Sequence, residues 1–156
     1  MSARAASVTP GKPGVPKAVA AGYSGTPLAR KLGIAAGDEV LLVGAPKDYR
    51  EIVAPPEDVR FVARMAKGTD VVHVFATERV RLEKAIRSAL AKMKPDAVIW
   101  ASWPKKSSKV PTDITEDTIR EIVLPLGLVD VKVCAVDDVW SGLKLVMRRE
   151  NRLRRT

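Results

Sequence analysis

The sequence predicts an α/β fold: a single-domain, Rossmann-like three-layer sandwich on a mostly parallel sheet that ends in an antiparallel C-terminal strand pair. Three observations predict it. Two nearly continuous apolar segments, Glu39-Val-Leu-Leu-Val-Gly44 and Asp70-Val-Val-His-Val-Phe-Ala76, have the pattern of strands buried on both faces. Leu82, Ile86, Leu90 and Met93 then recur at helical spacing ahead of a third strand, Ala97-Val-Ile-Trp-Ala-Ser102. That order makes a strand–helix–strand unit with a right-handed crossover. Finally, residues 129–136 and 143–148 alternate more and lie six residues apart, too close for a parallel crossover, so they pair antiparallel.

Taken in order, residues 1–21 are rich in Ala, Pro, Gly and Lys without periodicity and read as a disordered basic tail. The domain is expected over 22–150, with 151–156 as a basic C-terminal tail. It opens at Tyr23-Ser-Gly-Thr-Pro-Leu-Ala-Arg-Lys-Leu-Gly-Ile34, where Thr26 suits an N-cap, Pro27 the first helical position and Gly33 the residue past the end. So short a helix needs Leu28 and Leu32 to dock on a core. A turn at 35–38 leads into the first strand. A short helix fits 46–53, ended by Pro55-Pro56, and 59–62 is a weak strand candidate. Thr77 can cap the long helix, with Glu78 in its first turn and Lys92 and Lys94 near its end, as the helix dipole favours. A further helix covers 116–124, with Thr115 as N-cap and Ile114 and Ile119 as a hydrophobic staple; Pro125 and Gly127 end it. The Arg-rich end reads equally as a solvated tail or as a short helix.

At 156 residues with 46% hydrophobic content, the chain suffices for one domain with a real core. The lone Cys134 excludes an internal disulfide, and one cysteine with one histidine argues against a protein-built zinc site. No apolar run reaches the roughly 18 residues of a membrane span, and the N-terminus lacks a signal-peptide core, so the cytoplasm is the expected location. The net charge of +9 sits mainly in the ends. Residues 1–21 carry Arg4, Lys12 and Lys17 and no acid, and residues 148–156 carry five arginines against Glu150. Residues 22–147 are nearly balanced, with 19 basic and 17 acidic residues. Such ends attract nucleic acid or acidic surfaces without reading sequence, or simply solvate the chain.

The candidate site is Trp100-Ala-Ser-Trp-Pro-Lys-Lys-Ser-Ser108, a strand running into a basic loop. Loops at the carboxyl ends of α/β strands are where such folds place ligands. Lys105, Lys106 and Ser107, with Ser108 and Lys109, suit an anion held by ammonium groups, hydroxyls and loop amides. Trp103 suits stacking on a ring or capping the core. Gly44 and Thr77, at the ends of the first two strands, complete the predicted ligand edge. No catalytic residue is assigned. His73, mid-strand beside Val71 and Phe75, reads as a satisfied core histidine rather than a base for Cys134, and Asp137-Asp138 reads as a turn. Gly44-Ala-Pro46 lacks the glycine spacing and the Lys-Ser/Thr of a phosphate loop.

These residues also resemble a known family. The 23–34 stretch, Ser102-Trp-Pro-Lys-Lys106, Thr112-Asp-Ile-Thr-Glu116, Leu126-Gly-Leu-Val-Asp-Val-Lys-Val-Cys-Ala-Val-Asp137 and Val139-Trp-Ser-Gly-Leu-Lys144 are similar to domain of unknown function 3052, a bacterial family frequent in actinobacteria. The resemblance covers roughly residues 22–150 and implies a small cytoplasmic bacterial protein, with no particular activity. The order of elements also resembles the C-terminal half of the S-adenosylmethionine-dependent methyltransferase fold, which would imply that cofactor. This chain departs from the methyltransferase pattern at Val43-Gly-Ala-Pro-Lys47, where that fold carries several glycines, and at Val62-Ala-Arg64, where its second strand usually ends in an acid. It is also short by about one strand–helix unit.

The expectation is therefore a non-catalytic binding or regulatory module that holds an anionic small molecule or partner at the carboxyl edge of the sheet. A degenerate methyltransferase-like enzyme is the alternative, and nucleic-acid association through the basic tails is a second one. Ligand identity and oligomeric state do not follow from the sequence.

Overall fold

A computed structural model describes residues 27–155. The predicted N-terminal tail and the Thr26 cap lie outside the described residues. Six strands form one sheet: β1 (Glu39–Val43), β2 (Arg60–Val62), β3 (Val71–Phe75), β4 (Val98–Pro104), β5 (Leu128–Ala135) and β6 (Trp140–Met147), in the order β2-β1-β3-β4-β6-β5. β1 pairs parallel with β2 and β3, and β3 with β4. β6 alone runs antiparallel, wedged between β4 and β5. The weak strand at 59–62 is thus real, a three-residue edge whose short ladder matches its short apolar run.

Among the described residues, five α-helices accompany the sheet: α1 (Leu28–Lys31), α2 (Tyr49–Val53), α3 (Arg79–Leu90), α4 (Glu116–Val123) and α5 (Arg149–Arg155). Ala29 and Leu32 of the α1 segment and Tyr49, Ile52 and Val53 of α2 pack on Val40, Val71 and Trp100 on one face of the sheet. Leu82, Ile86 and Ala89 of α3 and Ile119, Ile122 and Val123 of α4 pack on Leu41, Val72, Ile99 and Leu145 on the other. This is the expected three-layer sandwich. All five residues of β3 are buried, because β3 sits mid-sheet under helices on both sides.

Local signals mostly act as expected. Thr115 caps α4 in a reciprocal pair with Thr118, and the staple residues Ile114 and Ile119 are both buried. Pro27 proves to be the N-cap of α1 rather than its first residue, and Gly33 closes that helix at φ +76°.

The cap of α3 differs from expectation. Its N-cap residue is Glu78, without a side-chain cap bond; Thr77 instead offers its carbonyl to the Thr112 hydroxyl at 2.6 Å. The cap comes from Asp113, whose carboxylate accepts from the Arg79 amide at 2.7 Å. A carboxylate meets the positive helix end better than a hydroxyl does. Lys92 and Lys94 lie past the end of α3, and Lys94 pairs with Asp70 at 2.6 Å instead. Burial pushes the Asp70 carboxyl up, but hydrogen bonds from Lys94 and the Glu39 amide outweigh it and hold that group below the usual range.

The Arg-rich end, read from sequence as a solvated tail or a short helix, is helical. α5 spans the expected 150/151 boundary and is tied down where the Arg148 amide and the Asn151 side chain both donate to the Gly127 carbonyl. Among the described residues, no helix is long and apolar enough to cross a membrane.

Candidate functional site

The carboxyl ends of β1, β2, β3 and β4 lie along one edge of the sheet. Strand order reverses between β1 and β3, and there the edge opens into the crevice where open α/β sheets usually bind ligands. Among the described residues, two clefts along this edge divide the predicted site. Gly44 lines one, of about 860 Å³; Trp103, Lys105 and Lys106 line the other, of about 470 Å³. Thr77 and Ser107 line neither, because Thr77 turns its carbonyl toward Thr112 and Ser107 projects from an exposed turn.

The smaller cleft follows β4. Pro104 ends the strand, the Lys105 amide bonds the Val139 carbonyl at 2.7 Å, and residues Lys106–Ser108 form one 3-10 turn. Lys109 closes that turn at φ +63°, a conformation costly for a side-chain-bearing residue. The Ser108 hydroxyl donates to the Lys105 carbonyl at 2.6 Å, and the same oxygen accepts from the Val110 amide at 3.2 Å. The Ser108 hydroxyl and the Lys105 amide are therefore engaged internally. What the loop offers an anion is the ammonium groups of Lys105, Lys106 and Lys109, which have no ion-pair partner among the described residues. The single acid of the lining, Glu116, is paired with Arg120. Trp103 is only 9% exposed and packs in the core below, so it forms the floor of the cleft rather than a free stacking platform.

The larger cleft begins at Gly44. Its φ is +70°, and a Cβ there would stand 2.6 Å from the Phe75 carbonyl oxygen, so the glycine serves both the turn and the close approach of β1 to β3. From Gly44 the cleft passes Ala63 and Arg64 after β2 and runs down α3. Its cations are Arg64, Arg81, Lys84 and Lys92, and no acid lines it.

His73 is completely buried, between Tyr49 (2.8 Å from Nδ1) and Ser102 (2.7 Å from Nε2), and stacks on Phe75. Burial pushes its pKa down to about 3, so the ring is neutral, one nitrogen donating and the other accepting. Burial also raises the Tyr49 phenol. Both ring nitrogens are committed, and the buried Cys134 thiol, raised by the same cause, donates to the Ala135 carbonyl instead. Asp137 likewise closes a turn, its carboxylate accepting from the Val139 and Trp140 amides. Among the described residues, no group of three or more His, Cys, Asp or Glu side chains could hold a metal ion.

No family model matches the sequence, and no curated protein does either, so the likeness to domain of unknown function 3052 rests on its motifs alone. Solved structures do match. An S-adenosylmethionine-dependent methyltransferase from Aquifex aeolicus is 14% identical, covering 74% of this chain and 85% of its own, with a TM-score of 0.52. DhpI, solved with S-adenosylhomocysteine, is 12% identical over 79% and 83%, with a TM-score of 0.50. The Bacillus subtilis tRNA methyltransferase TrmK is 9% identical over 80% and 67%, with a TM-score of 0.50. At such identities the likeness carries the fold alone.

The crevice residues do not suit the cofactor that this fold implies. Ribose hydroxyls need an acceptor at the end of β2, where Ala63 and Arg64 stand. Nor does the lining hold a carboxylate to offset a sulfonium charge; its charged residues are the cations Arg64, Arg81, Lys84 and Lys92. The fold of this chain is methyltransferase-like, with a mostly parallel sheet and an inserted antiparallel strand.

Proposed function

We propose that this protein is a non-catalytic binding or regulatory module that holds an anionic small molecule in the cleft at the carboxyl end of β4. One observation carries this reading: Lys105, Lys106 and Lys109 line a cleft with one acid, Glu116, whose carboxylate is turned to Arg120, a guanidinium it shares with Asp117 and Asp130. The apolar floor of Trp103, Pro104 and Ile114 suits a ligand with a planar or hydrocarbon part beside its charge. The lining holds no histidine or cysteine, which favours holding a ligand over transforming one.

A thermal-shift screen of the full chain against nucleotides and phosphorylated metabolites tests it. A ligand at about 100 times its dissociation constant stabilises by roughly 2.7 kcal/mol. The double variant Lys105→Ala/Lys106→Ala should weaken a hit at least tenfold; unchanged affinity would remove the cleft from consideration. The degenerate methyltransferase reading is favoured by the likeness in fold. Its test is calorimetric titration with S-adenosylmethionine and S-adenosylhomocysteine, for which we expect no heat at millimolar ligand.

A further inference from the structure

We propose that the larger cleft, between β1 and α3, is a docking groove for an acidic amphipathic helix of a partner protein. It shares no lining residue with the cleft of Lys105 and Lys106. The groove arises because one side of the sheet is short of cover. α3 and α4 pack over the middle and the β5 edge, whereas residues 63–70, joining β2 to β3, contain no helix to lie over Leu41 and Val43. Val43 and Met65 are left half-buried as an apolar floor, with Leu41 and Val74 buried beneath them.

One wall has the form of a helix seat. Arg81, Lys84, Ala85, Ser88 and Ala89 line the groove at successive helical spacings, and Lys92 follows just past the end of α3. The span from 81 to 92 is about 16 Å, or three turns, at roughly 1.5 Å per residue. The middle of that stripe is small, Ala85, Ser88 and Ala89, so a second helix can pack close against it. An open trough of this length, walled by a helix, fits an amphipathic helix with apolar residues at i, i+3 or i+4 and i+7.

Charge selects among possible occupants. Arg64, Arg81, Lys84 and Lys92 rim the groove with no acid in its lining. Arg81 is paired with Glu78, and the other three have no ion-pair partner among the described residues. A second copy would set two such rims face to face in a chain of net charge +9. Residues 1–26 of this chain carry Arg4, Lys12 and Lys17 and no acid, so the rim repels them too. A helix whose apolar stripe is flanked by Glu and Asp has the complementary charge.

The test uses the full chain and two labelled peptides of about 15 residues, enough for the three turns. They share one leucine stripe, flanked by Glu in one and by Lys in the other. In fluorescence anisotropy the Glu peptide should bind at least ten times more tightly. The surface variant Lys84→Glu/Lys92→Glu should reverse that preference, Ala85→Trp should fill the groove and weaken both peptides, and Lys105→Ala/Lys106→Ala should change neither. Equal binding of the two peptides, no binding of either, or a Glu-peptide affinity insensitive to both groove variants would overturn the proposal. A concentration-dependent dimer abolished by Ala85→Trp would overturn it in favour of a second copy.

Discussion

The indole N–H of Trp100, in the middle of β4, donates to the carbonyl of Leu32 at the end of α1 over 2.8 Å, and both residues are essentially fully buried. The bond satisfies an end carbonyl of a one-turn helix that has little stability of its own. Trp100→Phe keeps an aromatic ring and leaves that carbonyl unpaired. We expect a loss of about 2 kcal/mol in urea unfolding, with α1 amides exchanging faster than those of α3. An unchanged midpoint would mean that water replaces the indole there.

His73 makes stability depend on pH. Its folded pKa of about 3 lies below the ordinary value of 6.5, so the unfolded chain takes up the proton first. Its stabilising contribution is complete above about pH 6.5 and declines as pH falls from there toward 3, at a limiting slope of about 1.4 kcal/mol per pH unit. Between pH 6.5 and 5, above the usual carboxylate range, this group should dominate the decline. His73→Gln should be less stable at neutral pH and should show a flatter profile across that window. A wild-type profile that is itself flat there would contradict the buried neutral ring.

Gly44 tolerates no side chain. With φ at +70° and the Phe75 carbonyl 2.6 Å from the site of a Cβ, Gly44→Ala combines strain with a backbone clash. A loss of about 3 kcal/mol is expected, against little change for Gly68→Ala, where a Cβ meets open space at an ordinary φ. Thermal unfolding of the two variants side by side checks this.

The remote cap on α3 predicts a local effect. Asp113→Ala should cost about 1 kcal/mol and speed exchange chiefly in the first turn of α3, whereas Thr77→Ala should cost less, since its carbonyl rather than its hydroxyl carries the contact with Thr112. If the two variants are equally destabilised, the cap lies with Thr77 after all.

How far the sequence was legible depends on how local each cause is. The cap and staple of α4 involve residues five apart at most, Ile114 to Ile119, and were readable. The cap of α3 was not, because Asp113 stands 34 residues from Arg79. That His73 would be satisfied was readable from its apolar neighbours; that Tyr49 and Ser102 satisfy it required the packing of α2 and β4 around β3. The sequence joins the basic loop after β4 to Gly44 and Thr77 as one ligand edge, whereas Gly44 lines a separate cleft and Thr77 lines neither, because strand order alone does not say how the loops at that edge partition the space. The small residues of α3 were not recognisable as one wall of a groove, since nothing in their spacing says which face lacks a covering helix.

By itself the sequence determined the α/β class, the buried parallel strands, the long amphipathic helix and the antiparallel final pair, because apolar periodicity and turn chemistry act between near neighbours. The tertiary structure alone decided that β6 is wedged between β4 and β5, that the predicted ligand edge divides into two clefts, and that one of them runs open along α3 under a cationic rim. Those outcomes depend on which distant surfaces meet and which remain uncovered. No local pattern encodes that; it follows from fitting all the layers together at once.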